Sequence, residues 1–219
     1  MAKIEPRAFI AEIRSNIAEN DAIKAGIVLS HIAEMDLDVQ REALELIGNS
    51  SPEFAVPLMT MVLDKFPYLT ASFPDLKERL VARILEAPAT FLALLQDDKC
   101  ESRSFLIELA GEIGLEDAYH VLMAILVNED DHEILEKVIV ALGEIGDPGA
   151  AANIAELLYT EDRELVHAAI IALGQLGSPT AISRLHEKLG RDPELDLEIL
   201  DVFLRVQSRE AIEKLNKTL

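Results

Sequence analysis

Two His-Glu dipeptides are the side-chain pairs in this sequence that most resemble metal ligands. They are His132-Glu133 and His186-Glu187, and the other histidines are His31, His120 and His167. Imidazole and carboxylate groups can together bind iron and similar divalent ions, but such a site needs several ligands that converge. These two pairs fall at different phases of the helical repeat described below. We therefore predict that the histidines are surface or packing residues and that the chain holds no metal.

Cys100 is the single cysteine, so no intrachain disulfide is expected. Lys99 precedes it, and a nearby cation would lower the pKa of the thiol, but a structural or incidental thiol is the simpler interpretation. The acidic run 129–133 is interpreted as a solvated turn whose carboxylates favour the start of the next helix, and fortuitous binding of a cation is the alternative. No phosphate-binding loop, zinc-protease motif, paired-cysteine spacing or nucleophile elbow occurs. We predict no catalytic residue and no cofactor.

Acidic side chains dominate the charge of the sequence. Its 219 residues include 40 acidic and 20 basic side chains, which give a formal charge of −20, and half of the residues are hydrophobic. Nucleic-acid phosphates and anionic lipid surfaces would be repelled, so neither is expected as a partner. No signal peptide or membrane span is recognisable, and we expect a cytoplasmic protein. The charge either keeps the chain soluble or forms an acidic groove for a basic partner.

A repeated motif of about thirty residues organises the chain. Its clearest copies are Ala141-Leu142-Gly143-Glu144-Ile145-Gly146-Asp147-Pro148, Ala172-Leu173-Gly174-Gln175-Leu176-Gly177-Ser178-Pro179 and Leu109-Ala110-Gly111-Glu112-Ile113-Gly114. Gly177 suits the left-handed position after a helix, Ser178 caps the next helix, and Pro179 fits its first turn. Glycines inside the helices cost about 1 kcal/mol each relative to alanine, so their shared phase predicts a close approach of neighbouring backbones.

Extending this phase predicts an all-α superhelix, a solenoid of about seven antiparallel helix pairs. The predicted pairs are 6–19 with 21–34, 37–48 with 52–65, 74–86 with 88–96, 101–113 with 116–128, 132–145 with 148–159, 162–176 with 179–189, and 194–206 with 208–218. We expect one domain over residues 1–219. Its parts are degenerate repeats in 1–66, an irregular connection in 67–73, regular repeats in 74–190 and a C-terminal capping pair in 191–219. The connection either covers a joint between repeats or forms an exposed docking loop.

The Ala-Leu-Gly-x-[Ile/Leu]-Gly-[Asp/Ser]-Pro motif resembles HEAT-like repeats of the bacterial, phycobilisome-lyase-like type. The resemblance is strong over residues 101–190. It implies an α-solenoid and, for most such proteins, the binding of another protein. Deoxyhypusine hydroxylase, a HEAT-like enzyme, carries iron-binding His-Glu pairs seven residues before the repeat glycine. Here those positions hold Ser104-Phe105, Glu136-Lys137 and His167-Ala168, which do not match.

We therefore expect a noncatalytic scaffold or adaptor that binds another protein, which could have a basic surface. In HEAT-like stacks the second helices line one ridge, and aligning the repeats places two columns of side chains beside the core, where we expect them to be accessible. The columns are Val121, Asn153, Arg184 and Lys214, and Ala124, Glu156, Glu187 and Lys217. We select Asn153, Glu156, Arg184 and Glu187 as candidate partner-binding residues. The alternatives are an enzyme subunit or chaperone resembling a phycobilin lyase, or a regulatory module of a larger signalling protein.

Overall fold

The fold is built from paired helices, as the repeat predicts. A computed structural model describes residues 5–216, with side chains described through residue 207. This part of the chain contains fourteen α-helices and no strand. The helices are α1 (Pro6–Glu19), α2 (Ala22–Leu29), α3 (Leu37–Gly48), α4 (Pro52–Lys65), α5 (Leu69–Ser72), α6 (Leu76–Glu86), α7 (Pro88–Gln96), α8 (Arg103–Glu112), α9 (Tyr119–Asn128), α10 (His132–Ile145), α11 (Ala151–Glu156), α12 (Arg163–Leu176), α13 (Pro179–Lys188) and α14 (Pro193–Asn216).

The first six predicted pairs are present. Short 3-10 turns extend four of the junctions, at Ile32–Glu34, Glu116–Ala118, Pro148–Ala150 and Leu157–Tyr159. The prediction of a seventh helix pair is wrong, because α14 continues without a break through the expected turn near residue 207. That segment, Val206-Gln207-Ser208-Arg209, has neither glycine nor proline, so nothing in it stops a helix. The expected capping pair in 191–219 is therefore one helix, and residues 217–219 lie outside the described part.

Contacts divide the chain into two compact units, Met1–Leu106 and Ile107–Leu219. The division falls within α8. In the first unit, α1 packs on α3 and α3 on α6, while α2 packs on α4 and α4 on α7. In the second unit, α10 packs on α12 and α12 on α14, while α11 packs on α13. Each unit thus contains a row of first helices and a row of second helices.

The predicted turn chemistry is confirmed between α12 and α13. Gly177 has a φ of 56°, and its backbone N–H donates to the carbonyl oxygen of Leu173. The hydroxyl of Ser178 then accepts from the N–H of Ala181, 3.2 Å away, and Pro179 begins α13. Only glycine adopts this left-handed conformation without a steric cost, so the helix ends there and the chain reverses.

The segment 67–73 contains structure that the sequence analysis did not predict. Its centre forms the short helix α5, and the side chains of Leu69 and Phe73 are buried, at 2% and 8% exposure. The Arg41 guanidinium lies over the Phe73 ring, 6.0 Å from its centroid. Tyr68 stays exposed beside Phe66. Apolar burial therefore holds most of this segment against the first unit.

Candidate functional site

The inner glycines set the spacing of the first helices in the second unit. A β-carbon added to Gly111 would stand 2.6 Å from the Cα of Ala141, and one added to Gly143 would stand 2.9 Å from the Cα of Ala172. At Gly174 the corresponding neighbour is Val202 Cγ1, at 2.6 Å. Gly111 and Gly143 therefore confirm the predicted close approach of neighbouring backbones, whereas Gly174 lies against a side chain.

Contacts between polar side chains link successive first helices along the same row. Lys137 Nζ of α10 lies 2.9 Å from Glu108 Oε1 of α8. His132 Nδ1 lies 2.5 Å from Asp162 Oδ2, and His167 Nδ1 of α12 lies 2.8 Å from Glu198 Oε2 of α14. At least one side chain of each contact is more than half exposed, so each contact contributes little to stability. Their role is to bridge neighbouring repeats.

Six exposed side chains form a surface that we call the first-helix ridge. They are Glu136, Val140 and Glu144 of α10, and His167, Ile171 and Gln175 of α12. Val140 and Ile171 lie three residues before Gly143 and Gly174, so they are equivalent positions of adjacent repeats. They are 36% and 41% exposed. Each is flanked by polar side chains four residues before and after it.

Two open clefts border the ridge. One, of about 450 Å³, lies between α8 and α10 and is lined by Glu108, Glu112, Glu136, Lys137, Val140, Ala141 and Glu144. The other, of about 370 Å³, lies between α12 and α14, and its lining includes Ile170, Ile171 and Val202 beside Glu198, Asp201 and Arg205. Both clefts combine an aliphatic floor with charged walls. Such a lining suits the side chains of an amphipathic segment.

Carboxylates repel one another in the cleft between α8 and α10. Burial raises the pKa of Glu144, and the nearby negative charge of Glu112 raises it further. The carboxylate of Glu144 lies over Gly111, in the space that a side chain there would fill. A cationic side chain entering this cleft would reduce the repulsion.

The four candidate residues on the second helices lie at the surface, but one member of the predicted columns is buried. Asn153, Glu156 and Glu187 are exposed, and Arg184 is partly exposed. Arg184 Nη1 lies 3.1 Å from Glu187 Oε2, so these two candidates form an ion pair. Val121, which we expected to be accessible, is buried at 8% exposure because α9 turns it into the core beside Leu122. Lys217 lies outside the described residues, as does the side chain of Lys214.

A comparison of the sequence with models of known protein families identifies the family of this chain. The family model of HEAT repeats matches residues 88–170 and, in an overlapping second match, residues 141–200. The chain belongs to the HEAT-repeat family. HEAT repeats generally mediate protein–protein interactions. No curated protein matches the chain. Among the described residues, no helix combines the length and the apolar character needed to cross a membrane.

The histidines of this HEAT-repeat chain do not converge. His132 and His167 contact carboxylates on different helix pairs, and the His186 ring stacks on Phe203 with 4.5 Å between centroids. His31 Nδ1 lies 2.9 Å from Glu34 Oε1 in the other unit. Among the described side chains, no group of three His, Cys, Asp or Glu residues is arranged to hold a metal ion. The two His-Glu dipeptides therefore do not form a shared site.

The surroundings of Cys100 raise the pKa of its thiol, whereas the neighbouring Lys99 would lower it. Burial raises the pKa of Cys100, and the negative charges of Asp97 and Asp64 act in the same direction. The backbone N–H of Ser102 and the charge of Arg103 act against them, but the net effect is a raised pKa. Because only the thiolate is strongly nucleophilic, these neighbours disfavour a reactive cysteine.

Sequence reasoning missed the first-helix ridge. The sequence does contain a signal for this surface, because Val140 and Ile171 are apolar residues at equivalent positions of two repeats. They lie beside the buried residues Ala141 and Ala172. An aliphatic residue next to a core position is normally taken as core. Only the packing of HEAT repeats shows that these two side chains remain accessible.

Proposed function

We propose that this HEAT-repeat chain is a noncatalytic adaptor that binds another protein along the first-helix ridge. The observation that carries the proposal is the pair of exposed aliphatic side chains, Val140 and Ile171, at equivalent positions of adjacent repeats. A segment lying along the ridge would contact one of them per repeat. Repeated contacts of this kind are how solenoid surfaces hold extended or helical segments.

The charge of the surroundings supports a basic, amphipathic partner. Glu112, Glu136 and Glu144 line the cleft beside Val140, and burial together with Glu112 raises the pKa of Glu144. A lysine or arginine of the partner would occupy this cleft while an apolar side chain contacts Val140. The formal charge of −20 would also speed the association of a basic partner.

The proposal also includes the subtype of HEAT repeat and the cellular location of the chain. The phycobilisome-lyase-like and bacterial subtype is supported by the motif 141–148 and its copy 172–179, and a cytoplasmic location by the composition and charge of the sequence. The candidate residues Asn153, Glu156, Arg184 and Glu187 offer a second surface on α11 and α13. We place the main contacts on the first-helix ridge, because the two clefts border it.

Photo-crosslinking with a defined probe tests the proposal. A photoreactive amino acid replaces Val140 or Ile171, and the probe is a synthetic helical peptide of leucine, alanine and lysine. The control position is Val127 of α9, which is 65% exposed in the same unit. We expect crosslinks at 140 and 171, little at 127, and none with a peptide whose lysines are replaced by glutamate.

The same crosslinking variants then identify natural partners in native lysate by mass spectrometry. Substituting Glu112→Lys and Glu144→Lys together should suppress the crosslinks at Val140. Equal yields at 127 and 140, or no crosslinks at either ridge position, would contradict the proposed surface.

A further inference from the structure

The two clefts that border the first-helix ridge differ in charge. Among the described residues that line the cleft between α8 and α10, four are glutamates and one, Lys137, is a cation. Lys137 Nζ already lies 2.9 Å from Glu108 Oε1 and 3.3 Å from Glu133 Oε1. The lining therefore carries an excess of negative charge, which a cation from a partner would offset.

The charged side chains of the cleft between α12 and α14 are paired with one another. Arg205 Nη2 lies 2.6 Å from Asp201 Oδ2, and His167 Nδ1 lies 2.8 Å from Glu198 Oε2. A cation that entered this cleft would compete with Arg205 for Asp201 and with His167 for Glu198. The α12–α14 cleft therefore does not share the preference of the α8–α10 cleft for a basic side chain.

Aliphatic side chains form the floor of the α12–α14 cleft. Ile170 and Val202 are buried there, and Ile171 is 41% exposed. The cleft has a volume of about 370 Å³, within the range of about 300–1,000 Å³ that is typical of ligand-binding clefts. An apolar side chain that covers Ile171 removes apolar surface from water, which is favourable. This cleft thus suits a large apolar side chain.

The distance between the two apolar residues of the ridge favours a helical partner. Val140 and Ile171 are equivalent residues of α10 and α12, and packed helices lie about 8–10 Å apart. Side chains seven residues apart on a helix project from one side and are about 10.5 Å apart along its axis. In an extended segment, the side chains on one side are about 6.6 or 13 Å apart, and neither distance matches.

The two clefts lie two helix spacings apart, because α10 and α12 separate them. That distance is about 16–20 Å, which a helix spans with about 11–13 residues. Side chains eleven residues apart again project from one side of a helix. One helical segment can therefore reach both clefts while it contacts Val140 and Ile171.

We infer that the partner segment is a helix with a cation in the α8–α10 cleft and, about eleven residues away, a large apolar side chain in the α12–α14 cleft. The inference rests on the proposed binding of a partner along the first-helix ridge. It adds the sequence pattern of the partner and its orientation, with the cationic end towards α8 and the apolar end towards α14.

Fluorescence anisotropy with three matched peptides tests the sequence pattern. The first is a helical peptide of alanine, leucine and glutamine that carries one lysine and, eleven residues later, one phenylalanine. The second has alanine in place of the phenylalanine. The third keeps the composition of the first but places the phenylalanine seven residues after the lysine, on the same side of the helix and too close to reach the second cleft. We expect the second and third peptides to bind about 10-fold more weakly than the first.

Filling the α12–α14 cleft tests where the phenylalanine binds. Val206 lines this cleft, and Val206→Trp should weaken binding of the first peptide by about 10-fold and leave the alanine peptide unchanged. The matched control is Leu197→Trp, because Leu197 is on the same helix, is 73% exposed and lies outside the cleft lining. The control should bind both peptides like the natural sequence, and circular dichroism verifies that every variant is folded.

A photoreactive amino acid at the phenylalanine position of the first peptide tests the orientation. We expect its crosslinks on α12 and α14, and crosslinks mainly on α8 or α10 would overturn the inference. Equal affinity of the natural chain for the first two peptides would also overturn it, while crosslinks at Val140 and Ile171 would still support the first-helix ridge. If neither peptide binds and neither ridge position crosslinks, the proposed function fails together with the inference.

Discussion

Gly143 lies directly against the backbone of Ala172 on the next first helix, and a β-carbon on Gly143 would stand 2.9 Å from the Cα of Ala172. Gln175 places its side-chain oxygen over the same glycine. Gly111 has the equivalent relationship with Ala141 and Glu144. The missing side chain thus sets how closely the first helices of adjacent HEAT repeats can pack.

Gly143→Ala should lower the free energy of unfolding by about 1–2 kcal/mol. Alanine gains about 1 kcal/mol in helix propensity. Overpacking costs about 1–3 kcal/mol, and contact with backbone that cannot move puts this site in the upper part of that range. Chemical denaturation measures the change. The control is Gly26→Ala in α2, where the new β-carbon would meet Leu58 Cδ2 at 3.5 Å. That variant should be unchanged or slightly stabilised, and equal losses at both sites would contradict the packing explanation.

Ser178→Ala should destabilise the chain by about 1 kcal/mol, because the N–H of Ala181 loses the hydroxyl that caps α13. Thermal unfolding would show the loss as a lower melting temperature. Ser183→Ala is the matched control, since Ser183 is exposed within the same helix. Alanine is the better helix former there, so this variant should be neutral or slightly stabilised. A larger loss at 183 than at 178 would rule out the capping role.

Glu144→Gln should stabilise the chain at neutral pH. The folded-state pKa of Glu144 is raised by burial and by Glu112. The folded state therefore binds more protons than the unfolded state between the unfolded and folded pKa values, and stability falls as the pH rises through that window. Glutamine does not ionise, so it avoids this loss of stability. The difference in the free energy of unfolding between the variant and the natural chain should therefore shrink as the pH falls below the unfolded pKa. Denaturation at several pH values measures it, with Glu161→Gln, in an exposed turn, as control.

Asp162 should show the opposite pH dependence. Two backbone N–H groups of α12 and the His132 side chain lower the pKa of Asp162, the N–H of Leu165 having the largest effect. Its contribution to stability is present above the unfolded pKa and is lost as the pH falls through the folded pKa. Asp162→Ala should therefore lower the melting temperature at neutral pH and have little effect in acid. An equal effect at both pH values would exclude the ionised carboxylate as the cause.

Charge reversal separates the two candidate binding surfaces. Glu112→Lys with Glu144→Lys should weaken binding of the lysine-rich peptide by about 10-fold or more, because both residues line the cleft beside Val140. Glu156→Lys with Glu187→Lys should weaken it less, since Arg184 already neutralises Glu187. Fluorescence anisotropy at low and high salt measures both effects. If the second pair weakens binding more, the second-helix surface is the main site, and if it has no effect that surface is discarded.

The sequence by itself determined the helices and their ends. Glycine followed by an aspartate or serine and a proline stops one helix and starts the next through local backbone chemistry, which needs no distant contact. The ends of α10 and α12 follow from such signals, since Gly146 and Gly177 adopt the left-handed conformation there. Where the signals are missing, as in α14, the expected turn near residue 207 does not form.

Only the tertiary structure decided which apolar residues remain accessible. Val140 and Ile171 have the composition and phase of core residues, and Leu197, Leu200 and Leu204 look like a packing face. Whether such a side chain is buried depends on the helix that lies beside it, and that neighbour is about thirty residues away in the sequence. Hydrophobic periodicity identifies a face that can pack, but the arrangement of the other helices determines what covers it.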